Sequence, residues 1–123
     1  MSNRKYTPRR AGKRWLDDAP AYILDCFDIP DTGDRYTVLF GKGLMFHVKH
    51  NGDCMDGSDQ RNNTIVPYLA MSEAPGSPQG ISMWGELEAH QAAAYRYNNG
   101  HRRIRWLDFP AHIRKHVIAR VEI

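Results

Sequence analysis

The stretch "HVKHNGDC", residues 47–54, sets His47, His50 and Cys54 within eight positions, and imidazole and thiolate are the usual ligands of zinc. The only other cysteine, Cys26, could complete a set of four from upstream. A further pair, His112 and His116, has the spacing of one helical turn. Neither group contains a paired CxxC knuckle, and if 44–50 is a strand, positions 47 and 50 face opposite sides. The plainer reading is a polar loop plus a small buried Cys26. A zinc site on Cys26, His47, His50 and Cys54 is therefore an alternative expectation, and no resident cofactor is the leading one.

Carboxylates are the second candidate. Asp25, Asp28, Asp31 and Asp34 recur at every third residue, and such oxygens could hold Mg²⁺ for phosphate-ester cleavage. In an extended strand Asp25 and Asp28 point to opposite faces, so they cannot share an ion without a bulge. Asp31 and Asp34 are good turn residues. The acids Asp53, Asp56 and Asp59 miss the calcium-loop pattern, and the helix "HIRKH" lacks the glutamate of a zinc-protease motif. Ser72 and Ser82 lack the glycine elbow of a hydrolase nucleophile. The expectation is a protein without catalytic residues; a metal-dependent hydrolase is the alternative.

Charge is distributed unevenly. The net charge is only +3, yet residues 1–15 hold six bases and no acid, and residues 100–123 hold six bases against two acids. Arginines that neutralise phosphates release counterions, so Arg9, Arg10, Arg14, Arg102, Arg103 and Arg105 are candidate contacts to nucleic acid, nucleotide or another polyanion. Trp15 and Trp106 sit beside arginines, an interleaving suited to base stacking. The acidic middle offers the alternative of a protein inhibitor, in which Asp28, Asp31 and Asp34 mimic nucleic-acid charge and meet a basic cleft on a host protein.

These residues need a scaffold, and 123 residues with 41% apolar content predict a single domain. Like charges, Pro8 and Gly12 predict a flexible basic arm over 1–18, followed by one α+β domain over 19–123. "AYILDCFDI" (21–29) and "RYTVLFG" (35–41) read as an antiparallel hairpin. The segment 41–50 extends the sheet or forms a short strand, and 51–63 reads as an exposed loop. "TIVPYLAM" (64–71) is a further strand, with Pro67 favouring an edge or a bulge. After the Pro/Gly loop, "ISMWG" is a brief strand and 86–97 a surface helix. "RRIRW" is a half-buried strand, Asp108 a helix N-cap, and 109–121 an amphipathic helix. The predicted fold is a small antiparallel sheet, or partly open barrel, of four to five strands closed by that helix.

The chain lacks a run of ~18 apolar residues, which excludes a membrane span of the helical kind. Two cysteines and no apolar export segment predict a reducing, cytoplasmic setting with free thiols. The sequence does not fix the oligomeric state.

The blocks "LDCFD", "DRYTVLFG", "YLAMS", "PQGISMWGE" and "RRIRWLDFPAHIRKHVIAR" resemble a group of small uncharacterised proteins encoded by tailed phages and prophages. The resemblance covers patches between 21 and 121 and excludes "HVKHNGDC" and the basic arm. It implies a mobile-element origin, the cytosol of a host cell, and an accessory role such as inhibition of a host defence factor. It transfers no catalytic residue.

Overall fold

A computed structural model describes residues 10–30, 33–41, 47–50, 53–56, 65–98 and 100–121; for 47–50, 53–56 and 65 it describes the backbone alone. Among them, in chain order, are β1 (Ile23–Asp28), β2 (Tyr36–Phe40), β3 (His47–His50), β4 (Asp53–Asp56), β5 (Ile65–Met71), β6 (Ser82–Glu88), α1 (Ala89–Ala94), β7 (Arg102–Arg103) and α2 (Ala111–Val121). Five strands make one open antiparallel sheet in the order β6-β5-β2-β1-β7. β3 and β4 form a separate hairpin. The fold is α+β, as expected, and the sheet does not close into a barrel.

The central strands are apolar on both sides because both faces are covered. On one face Cys26, Val38, Phe40, Leu69 and Trp84 pack with Ile113, Val117 and Val121 of α2. The four-residue spacing of those α2 positions follows the helical repeat and puts all three against the sheet. On the other face Leu24, Phe27, Leu39 and Val66 pack with Ala92 of α1. Tyr95, in a 3₁₀ turn after α1, meets the Phe27 ring edge-on at 4.7 Å. β1 feeds both layers by side-to-side alternation, with a bulge between Ile23 and Asp25.

Four expectations are corrected. The basic segment from Arg10 is packed: Ala11 and Leu16 are buried, and the Ala11 N–H donates to the Leu24 carbonyl at 2.9 Å. Residues 1–9 lie outside the described residues. The loop expected over 51–63 contains β4, whose Asp53 and Cys54 pair with His50 and Lys49. Pro67 is in an interior strand, tolerated because the β2 pairing stops one residue short of it, at Leu39 with Tyr68. Glu86, Leu87 and Glu88 are strand rather than helix; pairing with Pro67, Val66 and Ile65 overrides their helical propensity and delays α1 to Ala89.

The C-terminal boundary also differs in detail. β7 is two residues long, although the Ile104 N–H still reaches the Cys26 carbonyl at 3.1 Å. Asp108 does not cap α2: its carboxylate accepts the Arg105 N–H at 3.0 Å and closes a 3₁₀ turn, Trp106–Asp108. The Pro110 carbonyl begins α2 by accepting the Ile113 and Arg114 N–H groups.

Candidate nucleic-acid interface

The two basic ends of the chain meet in space. The Trp106 N–H donates to the Trp15 carbonyl at 2.7 Å, which fixes the N-terminal segment beside the chain that leaves β7. The Trp15 ring has the Arg103 guanidinium 4.7 Å from its centroid and that of Arg14 at 5.4 Å. Guanidinium groups over an indole are held by the ring's negative face. The result is a sheet edge, β7 with residues 10–17 alongside, that gathers Arg10, Lys13, Arg14, Arg102, Arg103 and Arg105. A shallow cleft on this edge is lined by Lys13, Arg14, Asp17, Arg105 and Leu107.

These cations differ in what they are free to do. Arg103 Nε donates to Asp25 Oδ1 at 3.1 Å, and Arg96 Nη2 lies 3.4 Å from the other oxygen. Asp25 is 2% exposed. Its burial pushes the carboxyl pKa above the usual carboxylate range in spite of the Arg103 hydrogen bond. Arg103 is therefore a structural ion-pair partner. Arg105 grips Asp108 through Nη2 at 2.9 Å and Nε at 3.2 Å, and this pairing holds the Asp108 pKa down and the Arg105 pKa up. Arg10 donates to the Ile23 carbonyl at 2.9 Å and the Pro20 carbonyl at 3.3 Å. Arg102 is open, its side chain 72% exposed and its guanidinium 3.8 Å from Asp28. Lys13 and Arg14 are exposed.

The remaining predicted residues fall elsewhere. Trp106 is 3% exposed, its ring packed edge-on against Phe109, so it belongs to the core. Arg9 lies outside the described residues. Asp25 and Asp28 sit on opposite faces of β1, opposite Leu39 and Tyr36, because the bulge precedes them both. Asp28 is 4% exposed and engaged by Arg35 at 2.8 and 3.1 Å. Arg35 also pairs with Glu73, and both bonds raise its pKa. Of the three aspartates of the acidic alternative, Asp28 is thus turned inward, Asp34 is exposed, and Asp31 lies outside the described residues.

Cys26 is a free thiol with no exposed surface, and burial pushes its pKa well up, which disfavours the thiolate a metal needs. The side chains of His47, His50 and Cys54 lie outside the described residues; their backbones belong to the β3–β4 hairpin, not to the sheet of Cys26. Among the described residues no group of three or more His, Cys, Asp or Glu is placed to hold a metal ion. Nor does any helix among them have the length and apolarity to cross a membrane.

Sequence reasoning missed Lys13 as a cleft residue and Asp108 as the partner of Arg105. The second was signalled by "RWLD", whose three-residue separation lets a carboxylate turn back on an arginine. No protein-family model matches the chain, and neither does any curated protein or solved structure.

Proposed function

We propose that this chain is an accessory protein, of phage or prophage origin, that binds nucleic acid through the edge formed by β7 and residues 10–17. The supporting observation is the apposition of the two basic segments by the Trp15–Trp106 backbone bond and the Arg103–Trp15 contact. Lys13, Arg14 and Arg102 make the phosphate contacts, Arg105 joins them by exchanging Asp108 for phosphate, and Arg10 lies beside them. Arg103 positions Trp15 and does not touch the ligand. With two guanidinium groups already over the Trp15 ring and Trp106 in the core, backbone contact dominates over base stacking, and affinity depends little on sequence.

Titration of a fluorescent DNA duplex at increasing salt tests this reading. Neutralising about four phosphates gives a slope of about −4 in log affinity against log salt. Charge reversal at Lys13, Arg14 and Arg102 together lowers affinity by more than tenfold and flattens the slope. Binding that is absent at low salt, or indifferent to salt, overturns the proposal.

A further inference from the structure

A second site lies at the opposite edge of the sheet, where β6 meets α2. The ten residues between β5 and β6 are far more than a hairpin turn requires, and they are tightly built. Ser72 and Ile81 exchange backbone and side-chain bonds, with Ser72 N–H to the Ile81 carbonyl at 2.9 Å and the Ile81 N–H to Ser72 Oγ at 2.8 Å. The Ala74 carbonyl accepts from the N–H and the hydroxyl of Ser77, at 3.1 and 2.9 Å. A β-carbon at Gly80 would run into that same carbonyl, so glycine is needed for the close approach. This loop and α2 border an open, shallow cleft lined by Gly76, Ser77, His112, Lys115 and His116.

At this edge Ser82 Oγ lies 2.6 Å from His116 Nε2. His112, one turn earlier, anchors α2 through Nε2 to the Glu73 carbonyl at 2.7 Å. One turn later, Arg120 lies over Trp84, with 5.7 Å from guanidinium carbon to ring centroid. The flank of α2 is thus pinned on either side of His116, which holds the imidazole in register with Ser82. Partial burial, and then the Arg120 charge, lower the His116 pKa, so the ring is neutral at pH 7 and Nε2 can accept the serine proton. A positioned hydroxyl, a neutral base in hydrogen-bond reach and an adjoining preformed cleft are the elements of nucleophilic catalysis.

We propose that Ser82 and His116 form a nucleophile–base dyad that hydrolyses small carboxylic esters. Ser82 Oγ attacks the ester carbonyl as its proton passes to His116 Nε2. The tetrahedral adduct expels the alcohol, which takes that proton as its C–O bond to the acyl carbon breaks. Water then attacks the acyl-serine, giving its proton to His116, and collapse returns the proton to Ser82 with release of the carboxylic acid. Lys115, on the same cleft, supplies positive potential for the oxyanion. Among the described residues no carboxylate bonds His116, so the dyad acts on esters with good leaving groups rather than on amides.

The full chain is incubated with p-nitrophenyl acetate and, separately, with an alkyl fluorophosphonate, and adducts are located by mass spectrometry. One phosphonate is expected, on Ser82, at a rate that rises with pH as His116 loses its proton and then levels. Ser82→Ala abolishes the adduct, and His116→Gln slows it about 100-fold. A folded protein that remains unlabelled at Ser82, or is labelled equally fast in His116→Gln, overturns the proposal and leaves the bond as a clasp between helix and sheet. Should His116→Gln fail to fold, Ser82→Cys is treated with iodoacetamide. Alkylation several-fold faster than that of a free thiol supports the dyad, and alkylation no faster removes it.

Discussion

The two edges of this sheet are held by different forces. At the β7 edge the strand is two residues long, and its attachment depends on charge: Arg103 and Arg96 converge on buried Asp25, and Arg103 also covers Trp15. At the β6 edge the strand runs seven residues, and its attachment depends on packing. Trp84 is buried with the Phe40 ring 5.1 Å away, and Gly85 lies so close under Tyr68 that a β-carbon would clash with the ring. Cations used internally are not offered to a partner at full strength, so the β7 edge couples binding to its own ion pairs. The β6 edge buries Trp84 for stability and leaves polar groups beside a cleft.

The sharpest test of that contrast removes the anchor of each edge. Trp84→Ala is expected to cost about 4 kcal/mol in urea unfolding, since it opens a large cavity in the main core. Arg103→Ala is expected to cost about 2 kcal/mol, because Asp25 keeps Arg96 and can take up a proton instead of staying charged and unpaired. The reverse order would mean that charge, not packing, is the stronger attachment. Gly85→Ala is expected to cost 1–3 kcal/mol, roughly the penalty of overpacking, because Tyr68 must move.

The edges should also titrate in opposite senses. The His116 pKa is depressed from its ordinary 6.5, so the unfolded chain binds that proton first. Its contribution to stability is complete above pH 6.5 and is lost as pH falls through the folded value. The Asp25 pKa is raised from 3.8, so its contribution is present below that pH and is lost as pH rises through the folded value. Unfolding midpoints between pH 4 and 8 check both signs. His116→Gln should flatten the decline on the acid side of neutrality, and Asp25→Asn should flatten the opposite slope at lower pH. Unchanged profiles in both variants would show that these groups are not perturbed by folding.

Much of the scaffold could be read from residue types, because strand-forming runs and helical spacing are local signals. Tyr36, Val38 and Phe40 alternate with Thr37 and Leu39, and Ile113, Val117 and Val121 repeat along α2, so the hairpin and the last helix are visible locally. What decides the rest is non-local. Glu86–Glu88 favour helix by themselves and become strand only through β5. Gly80 reads as part of a Pro/Gly loop and Gly85 as the end of a brief strand, whereas both are there for close approach, to Ala74 and to Tyr68. The basic clusters were visible, but their use was not: that Arg103 serves Asp25, 78 residues away, depends on the β1–β7 register. Ser82 and His116, 34 residues apart, carry no shared motif and become neighbours only when α2 lies along β6.

The smallest expected effect bears on whether the β7 edge trades internal for external partners. Asp108 is partly exposed and neutralises Arg105 within the cleft that also holds Lys13 and Arg14. Asp108→Asn keeps an oxygen for the Arg105 N–H and so preserves the 3₁₀ turn, but it releases the guanidinium charge. Stability should change by less than about 0.5 kcal/mol, the scale of an exposed ion pair. Duplex affinity at fixed moderate salt should rise about threefold, and the salt slope should steepen by up to about one unit as Arg105 becomes a full phosphate contact. Arg105→Ala, by contrast, should weaken binding and make the Asp108 substitution nearly silent in the double variant. If affinity instead falls in Asp108→Asn, the carboxylate is orienting Arg105 for its ligand, and the pair is a preformed contact and not a competitor.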